Sequence, residues 1–347
     1  MELALYDPEF GYYARAAQRS GRAGDFFTSV DVGAIFGELL EVQIAEMAGI
    51  LHATDFDLVE AGAGNARLSA DILRAARDRD PVFYSKIRLH LVEASAAARG
   101  AQRATLGDLG DRLFASGAAL PDAFEGVLVA NELLDAFPVH QVAMREDGLR
   151  ETYVAGPALL TLEGPPSTPA LQDYLDRIGV TLEPGWRVEI NLRAVEWIRD
   201  AARRLRRGFI ILIDYGHEAR ELYSVTHADG TLTACSGHRS AGLKPGSASP
   251  PWLRSPGEQD LTAHVDFTSV RDAAEAEGLT TIGFLDQTYF ALGLLQGLPD
   301  PQSTIRNPQL KTLVMPGGLG STHKVMIFSK GVGTPALRGC SFRMRVT

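Results

Sequence analysis

Apolar residues recur along this chain in two alternating periods, and that alternation predicts an α/β protein. Phe56 to Val59 read as a short strand, after which Leu68, Ile72 and Leu73 with Ala75 and Ala76 fall at helical spacing. Lys86 to Val92 read as a second strand, followed by an alanine-rich helix from Ala94 onward. A short strand near Arg112 to Ala115 and another over Gly126 to Ala130 continue the pattern. A helix from Leu192 to Leu205 leads into Gly208 to Asp214, a continuous apolar run of the kind a strand buried on both faces requires. Val270 to Ala276 read as a helix, Thr280 to Phe284 as a strand, and Lys324 to Phe328 as the last apolar strand.

Residues 1–50 read as a helical N-terminal extension, with a polar turn around Ser20 to Asp25 and a helical apolar face built from Ile35, Leu39, Leu40, Val42, Ile44 and Met47. Val139 to Arg145 and Leu149 to Val154 flank Glu146-Asp147-Gly148, a hairpin signal. Residues 156–184 are proline-rich and carry no readable pattern, and roughly 235–260 read as a long Gly, Ser and Pro loop. The expected organisation is an extension over 1–50, a core over 51–330 with insertions at about 137–185 and 220–262, and an unstructured tail over 331–347.

A chain of 347 residues with 45% hydrophobic composition can bury a substantial core without staples. Its two cysteines, Cys235 and Cys340, match neither a disulfide framework nor a metal-ligand spacing, so no metal is expected. A formal charge of -9 argues against a general nucleic-acid grip, since phosphate neutralisation drives such binding. Five arginines within Arg199 to Arg207 fit a solvated face at a helix C-terminus. No run approaches the roughly 18 apolar residues of a membrane span, and the first residues lack a signal-peptide pattern, so a soluble cytoplasmic protein is expected.

The chemistry concentrates where strands end. Leu58-Val59-Glu60-Ala61-Gly62-Ala63-Gly64 runs from strand through a glycine loop into a helix, the first turn of a Rossmann-like unit. Gly62 and Gly64 let the chain turn sharply and a ligand approach, although glycines also serve such turns for chain reversal alone. Glu60 sits badly beside a pyrophosphate and suits a cation. Glu93, closing the second strand, suits ribose hydroxyls. S-adenosylmethionine, with a ribose, a sulfonium and no phosphate, fits both acids.

Asn131 and Glu132 end another strand, and Asp135 follows three residues later, so a helical turn would put both carboxylates on one face. Helix capping explains those acids equally well. In Gly24-Asp25-Phe26-Phe27-Thr28-Ser29, Thr28 or Ser29 is placed to cap the helix holding Phe36 and Leu39. Ile213-Asp214-Tyr215-Gly216-His217 ends a central strand with an acid, a phenol and an imidazole, and Asp260 to Phe267 add a further polar cluster.

Taken together, YDPEFGYY, GDFFTS, FGELL, the glycine loop, HLVEAS, ANELLDAFPV, IDYG and PGEQDLTAHVDF, spread in one order from about residue 3 to 329, resemble the MidA-like S-adenosylmethionine-dependent protein arginine methyltransferases of the complex I assembly type. The resemblance implies a class I methyltransferase fold with a seven-stranded Rossmann-like sheet, a helical N-terminal extension and inserted segments. It implies S-adenosylmethionine as cofactor and a protein substrate such as a complex I subunit, methylated in the mitochondrial matrix by eukaryotic members, and leaves a homodimer open. By position, Glu60, Gly62, Gly64, Glu93, Asp25, Thr28 and Asn131 would bind cofactor, while Asn131, Glu132 and Asp135 would border the transfer site. Departures fall at Ala63 and Ala66, where the family usually carries proline and a third glycine, and at Val30-Asp31 after GDFFTS. A small-molecule methyltransferase, a nicotinamide-dependent dehydrogenase and a non-catalytic scaffold are the competing readings.

Overall fold

The structure, a computed structural model, describes residues 1–15, 29–236, 239–242, 250–298, 307–315 and 319–342. Asp25 and Thr28 lie outside the described residues. The chain forms two compact units, one made of 27–133, 200–215 and 274–347, the other of 1–26, 134–199 and 216–273.

The first unit is built on a sheet whose strands are β1 (Phe56–Ala61), β2 (Ile87–Val92), β3 (Leu113–Gly117), β4 (Phe124–Asn131), β5 (Leu205–His217), β6 (Thr280–Asp286) and β7 (His323–Lys330). They lie in the order β6-β7-β5-β4-β1-β2-β3. All neighbours from β3 to β5 run parallel, and β7 inserts antiparallel between β5 and β6. Full burial of the strand centres, from Val127 and Leu128 to Phe209–Ile211 and Val325–Phe328, explains why these segments are uninterrupted apolar runs. From β1 the chain winds outward to β2 and β3, then returns to β4 on the other side of β1. That reversal opens a crevice at the carboxyl ends of β1 and β4, where ligands of such sheets bind. The two strands approach closely at their other ends, since a Cβ at Gly126 would lie 2.1 Å from the carbonyl oxygen of Asp57.

Two sequence boundaries move. The helix α1 (Ile35–Leu51) is part of this unit, sharing one apolar core with β1 and with α2 (Arg67–Arg79), the helix that follows the glycine loop. A Cβ at Gly37 would meet Asp71 at 2.5 Å, and Arg79 donates to the Glu41 carboxylate at 2.6 Å, so α1 packs directly on α2. Residues 1–50 are therefore not one extension. Nor is the stretch after Lys330 unstructured as far as it is described. Leu337 is buried in the core, and the short turn Arg338–Cys340 donates the Gly339 and Arg338 amides to Gln43 (3.0 Å) and Glu46 (2.9 Å) on α1.

The second unit carries an antiparallel sheet in the order Leu160–Gly164, Gly148–Ala155, His140–Arg145, Arg187–Ile190, in which the expected hairpin is the central pair. A second antiparallel sheet orders Arg239–Gly242, Thr233–Ser236 and Asp260–Thr262, so part of the expected long loop is strand. Leu5, Tyr12, Leu232, Ala234, Trp252, Leu261 and Ala263 form its apolar cluster. Val265–Asp266 pair in parallel with Gly216–His217.

Candidate functional site

The glycine loop is fixed from the neighbouring strand. The amides of Gly62 and Ala63 donate to the Val92 carbonyl at 2.9 and 3.1 Å, and Gly64 donates to Glu93 Oε2 at 2.8 Å. Gln102, completely buried, donates to the Gly64 carbonyl at 2.9 Å and accepts from Ser116 at 2.6 Å, so a second helix also grips the loop. Both glycines adopt positive φ, 73° and 49°. Glu93 accepts from Ser95 N at 2.7 Å through Oε1, leaving each oxygen a further lone pair for a hydroxyl donor.

Glu60 is held at the start of α2, where Ser69 donates both its amide (3.2 Å) and its hydroxyl to Oε2. The amide is one of the orphan donors of a helix N-terminus. Burial pushes the carboxyl up to about 8, overriding the Ser69 hydrogen bonds that oppose the shift. Such a group is the partner a cation would ionise.

Ala66, at the position of the family's third glycine, has φ 71° and is completely buried. A left-handed backbone costs an L-residue about 1–2 kcal/mol. The buried methyl returns about 0.8 kcal/mol, and alanine's restriction of the unfolded chain roughly 0.4–1 kcal/mol. These contributions nearly cancel, so Ala66→Gly is expected to change unfolding free energy by less than about 1 kcal/mol. Urea denaturation measures this, and a change of about twice that size or more would contradict it.

At the end of β4 the chain leaves the sheet without forming a helix. The Glu132 amide donates to the Ile213 carbonyl at 2.8 Å and the Leu133 amide to the buried Asp214 carboxylate at 3.1 Å, both on β5. These anchors hold Glu132 at φ 51°, a left-handed conformation that costs a non-glycine residue of order 1–3 kcal/mol. Its Oε1 accepts from Ser29 N and Asn131 Nδ2, each at 3.2 Å, and lies 3.4 Å from Nε2 of the fully buried His323. Arg67 steadies the Ser29–Val32 turn, bonding Asp31 at 2.8 Å and the Val30 carbonyl at 2.5 Å. Ser29 is thus not the expected cap of α1, whose first turn has no side-chain cap. Asn131 Oδ1 is buried without a hydrogen-bond partner, an acceptor in want of a donor.

The expected shared helical face of Glu132 and Asp135 does not form, because residues 132–137 are bends and a turn. The unit boundary falls between Leu133 and Leu134. In the second unit Asp135 Oδ2 accepts from Thr262 Oγ1 at 2.6 Å, and its carbonyl accepts from Ala263 N at 3.0 Å. Tyr6 of the YDPEFGYY string donates to the Ala136 carbonyl at 3.0 Å, and Tyr13 to Asp260 at 3.1 Å.

Glu60, Gly62, Gly64, Glu93, Asn131 and Glu132 therefore gather at the carboxyl edge of β2, β1 and β4. Asp214 was expected as an acid at a strand end, whereas Ser69, Gln102 and His323 were not singled out by the sequence. A buried amide within the alanine-rich helix was the available signal for Gln102, whereas His323 gave none.

This sheet order, with its antiparallel β7 and an acid-flanked glycine loop, defines a class I methyltransferase. A family model described as "Putative S-adenosyl-L-methionine-dependent methyltransferase" matches residues 39–285, and the chain belongs to that family. It is an S-adenosylmethionine-dependent methyltransferase. Among its relatives is the mouse protein arginine methyltransferase NDUFAF7, mitochondrial, 30% identical over 84% of this chain and 68% of the relative. The human NDUFAF7 is 29% identical over 84% and 67%. A Burkholderia thailandensis crystal structure bound to S-adenosyl-homocysteine superposes with a TM-score of 0.84 at 29% identity, covering 98% of this chain and 88% of that one. No helix among the described residues is long and apolar enough to cross a membrane.

Proposed function

We propose that this chain methylates an arginine side chain of a protein substrate, a respiratory complex I subunit being the first candidate. The observation that carries the reading is Glu132, a carboxylate held in a strained backbone conformation at the carboxyl end of β4, beside the unsatisfied oxygen of Asn131. The naming of the mouse and human relatives as protein arginine methyltransferases supports the substrate class, and their naming as mitochondrial suggests where a eukaryotic homologue would act.

Bound S-adenosylmethionine supplies a methyl group made electrophilic by its sulfonium. On this reading Glu93 takes the ribose hydroxyls, the Gly62–Gly64 turn gives them close access, and Glu60 with Asn131 Oδ1 receives the ammonium end. The orphaned Asn131 oxygen and the cation-seeking Glu60 fit that group. Glu132 accepts hydrogen bonds from the guanidinium, fixes its plane and localises its charge on the nitrogens away from the nucleophilic one. Alignment of that nitrogen and exclusion of water then carry the catalysis. Asp135 is proposed as a second acid of the reaction, to be tested separately by Asp135→Asn.

The test incubates the full chain with methyl-labelled cofactor and purified complex I subunits, followed by mass spectrometry of the labelled residue. Label on arginine of one subunit is the expected result. Label confined to small molecules would replace the protein substrate by a metabolite, and cofactor binding without transfer to anything in a cell extract would leave a scaffold.

A further inference from the structure

Three histidines of the second unit meet in one cluster that plays no part in the chemistry above. His217 ends β5, His227 closes the short turn Val225–His227, and His264 precedes Val265, which pairs with Gly216. Their ring centroids are 4.9, 5.3 and 5.8 Å apart. Each offers one ring nitrogen within 4.8 Å of the others, and all three side chains are only partly buried, so an ion can reach them.

One residue, Glu221, lies beside two of the rings. His227 Nδ1 lies 3.0 Å from the Glu221 carbonyl oxygen, which can only accept, so Nδ1 carries the proton and Nε2 keeps its lone pair. His217 Nδ1 lies 3.0 Å from a Glu221 carboxylate oxygen. A carboxylate or carbonyl behind Nδ1 is the arrangement that steadies a metal-ligating imidazole and raises its basicity. The third ring is placed from its backbone, whose amide donates to Thr231 Oγ1 at 3.0 Å, and Thr231 is tied in turn to Glu189. His264 Nδ1 is buried with no hydrogen-bond partner.

We infer that His217, His227 and His264 form a binding site for one divalent transition-metal ion of the zinc class. Imidazole nitrogens are ligands of choice for such ions, and three of them leave the fourth tetrahedral position for water. Zinc–nitrogen bonds of about 2.0–2.1 Å place tetrahedral ligand atoms roughly 3.3 Å apart, a closure that side-chain rotation can supply. Imidazole binds a metal only in its neutral form, so metal affinity should fall as pH drops. The site would clamp three separate segments of the second unit, which is why no ligand spacing shows in the sequence.

Equilibrium dialysis of the untagged full chain against micromolar Zn2+, followed by elemental analysis, tests the inference. Close to one equivalent is expected, falling at least tenfold in affinity in both His227→Ala and His264→Gln. Replacement by Co2+ should give visible d–d bands of a nitrogen-rich tetrahedral site, absent from both variants. Circular dichroism and retained binding of S-adenosyl-homocysteine establish that the variants fold. No stoichiometric metal in the wild-type chain, or equal binding in the folded variants, overturns the site.

Discussion

Glu132→Gln is expected to slow methyl transfer roughly 10- to 100-fold, because a hydrogen bond to a charged group contributes about 1.5–3 kcal/mol. The substitution keeps the shape of the side chain and can keep the bonds from Ser29 and Asn131 to its oxygen, so the turn after β4 should survive. What it removes is the negative charge facing the guanidinium. Cofactor affinity should stay within about twofold, since the sulfonium ligand is assigned to Glu60, Glu93 and Asn131. Single-turnover transfer with labelled cofactor, combined with calorimetry of S-adenosyl-homocysteine binding, separates the two. Wild-type rates would remove Glu132 from the chemistry, and lost cofactor binding would move it to the cofactor's side.

Glu60→Gln should change the pH dependence of both stability and binding. In the folded chain Glu60 titrates near 8 instead of its ordinary 4.5. Between those values the folded state holds a proton that the unfolded chain has released, so the group's contribution to stability falls as pH rises and is fully lost above about 8. Each tenfold change in proton affinity is worth roughly 1.4 kcal/mol, so the buried ionised form costs several kcal/mol. Glutamine carries no charge to bury, so the variant should unfold at higher denaturant than wild type at pH 8.5, with the difference vanishing near pH 4.5. Cofactor should act in the opposite direction. A cation seated against Glu60 favours the carboxylate, so binding near pH 7 should release up to one proton, and the variant should release none while binding at least tenfold more weakly. Calorimetry in buffers of different ionisation enthalpy reads the proton directly. Equal release by both proteins would place the cation elsewhere.

The parts of the fold that were legible in the sequence are those buried on both faces. Val127–Ala130, Phe209–Ile213 and Val325–Phe328 are apolar without interruption because both sides of their strands are covered, and the acids after the first two, Glu132 and Asp214, mark the ligand edge. The second unit was hard to read for the opposite reason. Leu160–Gly164 is an edge strand with Leu160 and Leu162 exposed, and Arg239–Gly242 is too short to show a period. At the site, Glu60, Glu93 and Asp214 were readable as acids at strand ends, but Ser69 and Gln102, which hold Glu60 and the glycine loop in place, are set by tertiary contacts. The helical spacing of Glu132 and Asp135 misled because one left-handed residue ends periodicity, and nothing in its side chain announces that conformation.

The chain passes from one compact unit to the other at Phe26–Phe27, Leu133–Leu134, Arg199–Asp200, Tyr215–Gly216 and Ala273–Ala274. Three of those passages fall inside a helix or strand, in Leu192–Arg204, β5 and Phe267–Ala276. Neither unit can therefore be excised by truncating the gene at one end or released by a protease at a linker. Dissection of this protein therefore has to proceed by point substitution, and grafting the second unit onto another chain would need several coordinated junctions.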